Sequence, residues 1–288
     1  MIGSKKSRWV KLFTLLAVML MLAAACGEDP TEEAPEEPAA SPTEEEAPAF
    51  TTLEEGVLQV GSCLDYRPFE FVKGGEEMGF DVELTEEIAS RLGLEVEWIT
   101  ANFDTIFTAV AAGDFDMVAA ASTITEERLQ SVDFSDGYFN ARQGFTVNAD
   151  ETPDITSTDQ LGEGDVVAVQ KGTTGKAWAE ENLAPAGVEI RTFDAVSGAF
   201  TDLEAGNVIG VINDEGSSIA EAAERPGLEV VQAIDTDELY GLAFSKDNPE
   251  LTAAVNGALA EIIADGTYAE IFSTWFPDLP VPDEYQAS

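Results

Sequence analysis

From Leu53 onward, short apolar runs alternate with longer segments of helical period, and that alternation leaves few folds open. "GVLQVGSC" (56–63) reads as a strand running into a loop. In "MGFDVELTEEIASRLG" (78–93), Leu84, Ile88 and Leu92 recur at i, i+4 and i+8, and Gly93 stands where a helix should end. "LEVEWIT" (94–100) alternates as a strand, and "NFDTIFTAVAAG" (102–113) is a helix with Asn102 as N-cap and Gly113 as its stop. "FDMVAAAS" (115–122) is a buried strand, and "TITEERLQSV" (123–132) begins a short helix. A second set follows. "DVVAVQKGTTGKAWAEENL" gives strand, loop and helix; "VEIRTF", "AVSGAFTDLEAG" and "NVIGVIND" give strand, helix and strand. "LYGLAFSK" is one more strand, two helices close the domain, and the tail "PDLPVPDEYQAS" reads as coil. Strands alternating with helices predict an α/β fold with largely parallel sheets.

The segment ahead of this domain is of another kind. "MIGSKKSRWVK" is basic, and an apolar run from Leu12 to Ala25 follows it. That is a secretory signal, too short for a membrane span. Small residues ending at Cys26 resemble the bacterial lipobox, in which the cysteine is lipidated and becomes the mature N-terminus; Ala23 departs mildly from that pattern. Residues 26–52, rich in Pro, Glu, Thr and Ala, have too little apolar surface to offset their ordering entropy, and a disordered tether is expected there. At about 3.1 Å per residue it would reach roughly 80 Å.

Composition removes several classes of function. Acids number 56 against 14 bases, a net charge of −42, which repels nucleic acid and anionic lipid. Histidine is absent, so Ser-His-Asp and Cys-His catalysis and the usual zinc sites fall away. The two cysteines, Cys26 and Cys63, form no CxxC pair. No catalytic residue, cofactor or metal site is expected.

"VAVQKGTTGKAW" (167–178) resembles a phosphate cradle but fails as one. Aligning the GK of a P-loop with Gly175-Lys176 puts Gln170 where the first glycine belongs and Ala177 where the hydroxyl belongs. The geometry still suits an anion. A strand ending in G-T-T-G at a helix start presents backbone N–H groups and the positive end of the helix dipole. Thr173 or Thr174 would otherwise serve only as a cap. "ASTITEERLQSVDFSDGYF" makes a similar corner, with Thr123 and Glu126 at capping-box spacing and Arg128 one turn on, where a guanidinium could fork onto a carboxylate. Pairing of Arg128 with neighbouring acids is the alternative.

"GSCLDYRPFEF", "GFDVELTEEIASRLG", "FDMVAAASTITEERLQSVDFSDGYF", "VVAVQKGTTG", "NVIGVIND", "YGLAFSK" and "VNGALAEIIADGTYAEIFSTWF" occur in this order at ordinary spacings. Together they resemble the family 3 extracellular solute-binding proteins, the polar amino acid receptors of ABC importers. The resemblance covers about residues 53–277. It implies a two-lobed type II periplasmic-binding-protein-like fold, each lobe a mixed, mostly parallel sheet flanked by helices, with a two-strand hinge near Gln143–Phe145 and Tyr240–Ala243. The implied boundaries are signal peptide 1–25, lipidated cysteine and tether 26–52, lobe 1 at 53–144 and 240–278, lobe 2 at 145–239, and a tail at 279–288.

By position, the resemblance gives Arg128 the ligand's α-carboxylate, helped by Thr123 and Thr174. Asp214 takes the α-ammonium together with the carbonyl of Ala121, and Tyr66 and Phe103 sandwich the side chain. Many members carry Asp or Glu where Cys63 stands. A thiol cannot neutralise a cation, so Cys63 points away from lysine or arginine as ligand. Gln170 and Asn213 are neutral candidates for the rest of the pocket; Arg67 and Lys171 would matter for an acidic ligand. Ile209 replaces an expected aspartate, which should alter packing rather than binding.

The implied protein is a monomeric, lipid-anchored, extracytoplasmic receptor on the outer face of the cell membrane. It would touch the membrane only through its anchor, bind an amino acid, and feed an ABC permease without doing chemistry. A cyclic-acid dehydratase on the same fold, with Asp, Glu or Lys as acid or base, and a sensory ligand-binding domain are the alternatives. The latter normally continues into a membrane span and a signalling module.

Overall fold

Gly79 and Gly93 frame the first helix, and both are there for backbone reasons. Gly79 has φ +138, and a Cβ on it would lie 2.0 Å from the Phe69 carbonyl oxygen. Gly93 closes the helix in the left-handed region at φ +72, its N–H returning to Ala89 and Ser90. A computed structural model describes residues 50–287. The signal, Cys26 and nearly all of the expected tether lie outside the described residues.

The first half runs β1 (Val57–Ser62), β2 (Asp65–Tyr66), β3 (Glu70–Lys73), β4 (Glu76–Met78), α1 (Phe80–Leu92), β5 (Glu95–Thr100), α2 (Phe103–Ala112), β6 (Met117–Val118), β7 (Asp133–Phe134) and β8 (Phe139–Asn148). The second runs β9 (Val166–Gln170), α3 (Thr174–Asn182), β10 (Glu189–Phe193), α4 (Val196–Glu204), β11 (Gly210–Asp214), α5 (Glu215–Glu224) and β12 (Leu228–Tyr240). The chain then returns through β13 (Ala243–Phe244), α6 (Pro249–Ala264) and α7 (Thr267–Trp275).

Two five-stranded sheets result, ordered β5-β1-β6-β13-β7 and β10-β9-β11-β8-β12. In the first, β1 runs parallel to β5 and β6; in the second, β9 runs parallel to β10 and β11. The remaining strands join antiparallel. The mixed, two-lobed α/β architecture expected from the sequence is observed, but the expected predominance of parallel strands is not. Each five-stranded sheet has two parallel and two antiparallel pairings, because β13 returns into the first sheet and β8 with β12 enters the second antiparallel. Strands β8 and β12 form the crossing, paired from Phe139↔Tyr240 and Ala141↔Glu238 into the second sheet. The ladder slips between Ile234 and Glu238, where Asp237 takes φ +50. Such a bulge re-aims the side chains beside it.

Aromatic side chains fill the junction behind the crossing. Phe69 and Phe139 meet edge to face at 5.0 Å between centroids, and Phe139 stacks on Tyr240 at 5.5 Å. A separate core of Phe145, Val147, Val167, Val169 and Ile212 fills the second sheet, and Ile209 packs against it, away from the cleft.

Two local expectations change. "TITEERLQSV" forms only a single 3-10 turn, Arg128–Gln130, and Glu126 makes no capping box with Thr123. The Thr123 hydroxyl is bonded to Glu238 instead, and Thr125 Oγ1 accepts the Arg128 N–H at 3.1 Å. The tail is not featureless: Asp283–Tyr285 is a 3-10 turn, and Tyr285 is buried against Tyr268 at 4.8 Å between centroids.

Candidate functional site

In an open α/β sheet, ligand sites lie beyond the carboxyl ends of parallel strands. Here both sheets turn those ends toward one cleft. Cys63 follows β1, Phe103 follows β5, and Ala121, Thr123 and Arg128 follow β6. From the other side, Gln170 ends β9, Thr174 opens α3, and Asn213 and Asp214 end β11. With Tyr66 of β2, these ten candidates line a single space of about 390 Å³, mouth included. Arg67 and Lys171 do not line it: Arg67 stacks on Phe71, its Cζ 4.2 Å from the ring centre, and Lys171 pairs with Asp104 at 2.7 Å.

The Arg128 guanidinium spends its two hydrogen bonds on backbone carbonyls, Thr123 at 2.6 Å and Gly172 at 3.1 Å. Its Cζ lies 4.5 Å from the Phe107 ring centre and 5.2 Å from that of Phe103. Its charge therefore faces carbonyl dipoles and ring faces rather than a neighbouring acid. Burial lowers its pKa to about 10, opposed by the negative Asp214 and Glu238, and it stays cationic at neutral pH.

Asp214 holds the N-cap position of α5 but makes no cap hydrogen bond. Its carboxylate instead receives the Tyr66 hydroxyl at 2.7 Å, the Tyr240 hydroxyl and the Gln143 amide. Burial, then the nearby Glu238, pushes its pKa up to about 6, against those three hydrogen bonds. Tyr66 also reaches Asn213 Oδ1 at 2.9 Å. Ala121 is held at φ +43, a region disfavoured for a residue with a Cβ, while its N–H donates to the buried Asp81 at 2.8 Å.

At the G-T-T-G turn the two threonines divide the work. Thr173 is the N-cap, accepting the Lys176 N–H at 3.1 Å. Thr174 points its hydroxyl at Glu238, 2.8 Å away. Lys176 points elsewhere and pairs with Glu180 at 2.7 Å. Gly172 has φ +79, and a Cβ there would lie 2.9 Å from Asp104 Cα, so the two lobes touch backbone to backbone at this glycine.

Three important residues escaped the sequence reading. Glu70 of β3 lines the cleft at 1% exposure, and its Oε2 has no partner among the described residues. Burial first, then Asp81, Asp65 and Asp214, raises its pKa well above the ordinary carboxylate range. Burial likewise pushes the Cys63 thiol up, with Glu70 and Asp65 adding to it. Gln143 lies between two acids, donating to Asp214 and, at 2.9 Å, to Glu238. Glu238 itself collects Thr123, Thr174, Gln143 and Thr236. The one sequence signal was an acid inside the apolar run "PFEF".

Residues 58–278 match the bacterial extracellular solute-binding proteins, family 3. The chain belongs to that family. It is 32% identical over 209 residues to an ABC transporter glutamine-binding protein of Bacillus subtilis, covering 72% of this chain and 75% of that protein. Among solved structures, an ancestral arginine-binding protein bound to arginine superposes with a TM-score of 0.73 at 39% identity, over 77% of this chain and 98% of the other. An ancestral arginine-binding protein bound to glutamine gives 0.73 at 37% identity, over 78% and 100%. The two ancestral proteins share the overall fold described above.

Proposed function

We propose that this solute-binding protein captures an amino acid with a cationic side chain, arginine foremost, and delivers it to an ABC importer. The observation that carries the ligand class is Glu70, a buried acid with an unpartnered oxygen on the cleft. The charge inventory supports it. Arg128 answers an α-carboxylate and Asp214 an α-ammonium, which leaves Glu70 to answer one more cation. Arginine brings that cation; glutamine does not. The argument from Cys63 toward a neutral ligand counted the missing acid at one position and left out Glu70, seven residues on and paired across β2–β3 with Tyr66. Gln170 adds a neutral amide to the same wall, and the arginine-bound and glutamine-bound ancestral relatives support a cleft tuned between those two ligands.

Tyr66 and Phe103 sandwich the ligand's side chain, Thr123 and Thr174 assist Arg128, and Ala121 and Asn213 complete the wall at the amino end. The lobes, 53–144 with 240–278 and 145–239, close about the two crossing strands, and ligand shifts the population toward the closed form. The protein works as a monomer and performs no chemistry. Glu70, whose pKa burial raises, would suit a dehydratase as general acid, so recovery of the ligand unaltered after long incubation is part of the test.

Calorimetry against arginine, lysine, glutamine and glutamate decides the ligand class. Arginine is expected to bind tightest, and Glu70→Gln to reverse the order of arginine and glutamine. Glutamine binding more tightly than arginine in the unmodified protein overturns the assignment. Cys26 anchors the protein through lipid on the outer face of the membrane; Cys26→Ala is then released or left unprocessed, and mass spectrometry showing an unmodified mature N-terminus at another residue overturns the anchor.

A further inference from the structure

Thr123 and Thr174 stand on opposite lobes, and their hydroxyls converge on one oxygen. Thr123 Oγ1 donates to Glu238 Oε2 at 2.6 Å, and Thr174 Oγ1 donates to the same atom at 2.8 Å. A threonine hydroxyl has one proton, and an ionised carboxylate only accepts. Each hydroxyl so placed can offer the cleft only lone pairs, which repel an anion. A ligand carboxylate received by these two hydroxyls needs the same two protons. Both demands cannot be met together.

Glu238 is well placed for that competition. It sits on β12 opposite Ala141, where the chain crosses between the sheets, just after the bulge at Asp237. Its other oxygen is fixed independently, by Gln143 Nε2 at 2.9 Å and Thr236 Oγ1 at 2.8 Å. The carboxylate therefore stays in place whichever way the threonine protons turn. With 8% exposure it has little water to fall back on.

We propose that Glu238 is a positioning residue that acts as an internal stand-in for the ligand's α-carboxylate. It bridges the two lobes through Thr123 and Thr174, and it yields both protons when an amino acid enters. It thereby holds the lobes together between transport cycles and lowers the affinity for ligand. The affinity part rests on the reading that Thr123 and Thr174 receive the ligand's carboxylate; the bridging part does not.

Glu238→Gln separates the two. Its amide N–H can donate to a threonine oxygen and release that hydroxyl's proton toward the cleft. Without ligand, small-angle scattering should show a larger radius of gyration than the unmodified protein, and with saturating arginine the two should coincide. Calorimetry should show arginine bound about tenfold more tightly, the 1.4 kcal/mol of an ordinary hydrogen-bond difference. Agmatine, which lacks the carboxylate, should gain nothing. An unchanged ligand-free radius overturns the bridge, and unchanged or weaker arginine binding overturns the competition. If the arginine result fails while the radius still grows, a Thr123→Val, Thr174→Val double variant identifies the cause. Arginine affinity unaffected by that pair means the threonines never met the ligand. Should Glu238→Gln not fold, Glu238→Asp, which retracts the carboxylate from both hydroxyls, reads the same two quantities.

Discussion

Lys171 Nζ lies 2.7 Å from Asp104 Oδ2, an ion pair that joins the loop after β9 to the start of α2 across the mouth of the cleft. The adjacent contact of Gly172 with the Asp104 backbone makes the pair possible only while the lobes are together. Asp104 raises the Lys171 pKa, first through their hydrogen bond. Lys171 is 53% exposed, so salt screens the pair strongly. Lys171→Ala should speed ligand release by about two- to fivefold, the scale of an exposed ion pair, in low salt. Stopped-flow dissociation in 1 M salt should abolish the difference; a difference that survives high salt rules out an electrostatic latch.

The two charge anchors should dominate affinity. Removing one partner of a buried charge strands the other at about 3–5 kcal/mol, roughly a hundred- to several-thousand-fold. Arg128→Ala and Asp214→Ala should each lose measurable arginine binding while keeping a cooperative melt. Thr174→Val should cost less, about 1–2 kcal/mol, and Lys176→Ala should be silent, because Lys176 faces Glu180. Titration of the four variants with arginine checks the order, and an indispensable Lys176 would contradict the whole assignment of the G-T-T-G turn.

Acidification should move stability and binding in opposite directions. Burial raises both Asp81 and Asp214 from 3.8 to about 6. A folded-state pKa above the unfolded one means the folded protein holds the proton more tightly. The associated stability, on the order of 2–3 kcal/mol each, is complete below the unfolded value and lost as pH rises through about 6. The melting temperature should therefore rise between pH 7 and pH 5. Asp265, held down to about 2 by Arg91, has the opposite sign but acts only below its ordinary 3.8. Arginine affinity should fall over the same interval, because protonated Asp214 cannot pair with an ammonium. Burial and the neighbouring acids raise the Glu70 pKa, and a paired guanidinium favours its charged form, so arginine binding should release a proton beyond any that glutamine binding releases. Calorimetry in two buffers of different ionisation enthalpy reads that proton; identical enthalpies for arginine in both exclude it.

Much of this was legible in the chain. Leu84, Ile88 and Leu92 with Gly93 gave the first helix because helical period and a left-handed cap are local properties. Arg128, Thr174 and Asp214 could be given roles because the motifs that carry them resemble the family's in order and spacing, and the structure brings all three to one cleft. Thr123 was placed correctly but misread as a helix cap, since its real partner lies 115 residues away. Glu70, Gln143 and Glu238 carried no local sign of their roles. Their importance comes from burial and from which charges the folded sheets bring near, and neither can be read from spacing.

The sequence by itself determined the alternating α/β order, the exclusion of histidine and P-loop chemistry, and the loops from which a cleft must be built, because propensity, period and strand-end position act over a few residues. Only the tertiary structure decided the charge balance of that cleft. The bulge at Asp237 and the crossing of β8 with β12 bring Glu238 between Thr123 and Thr174, and the turn of β3 buries Glu70 beside Cys63. Electrostatic partners are chosen by distance in space and by the water removed around them, and the fold sets both.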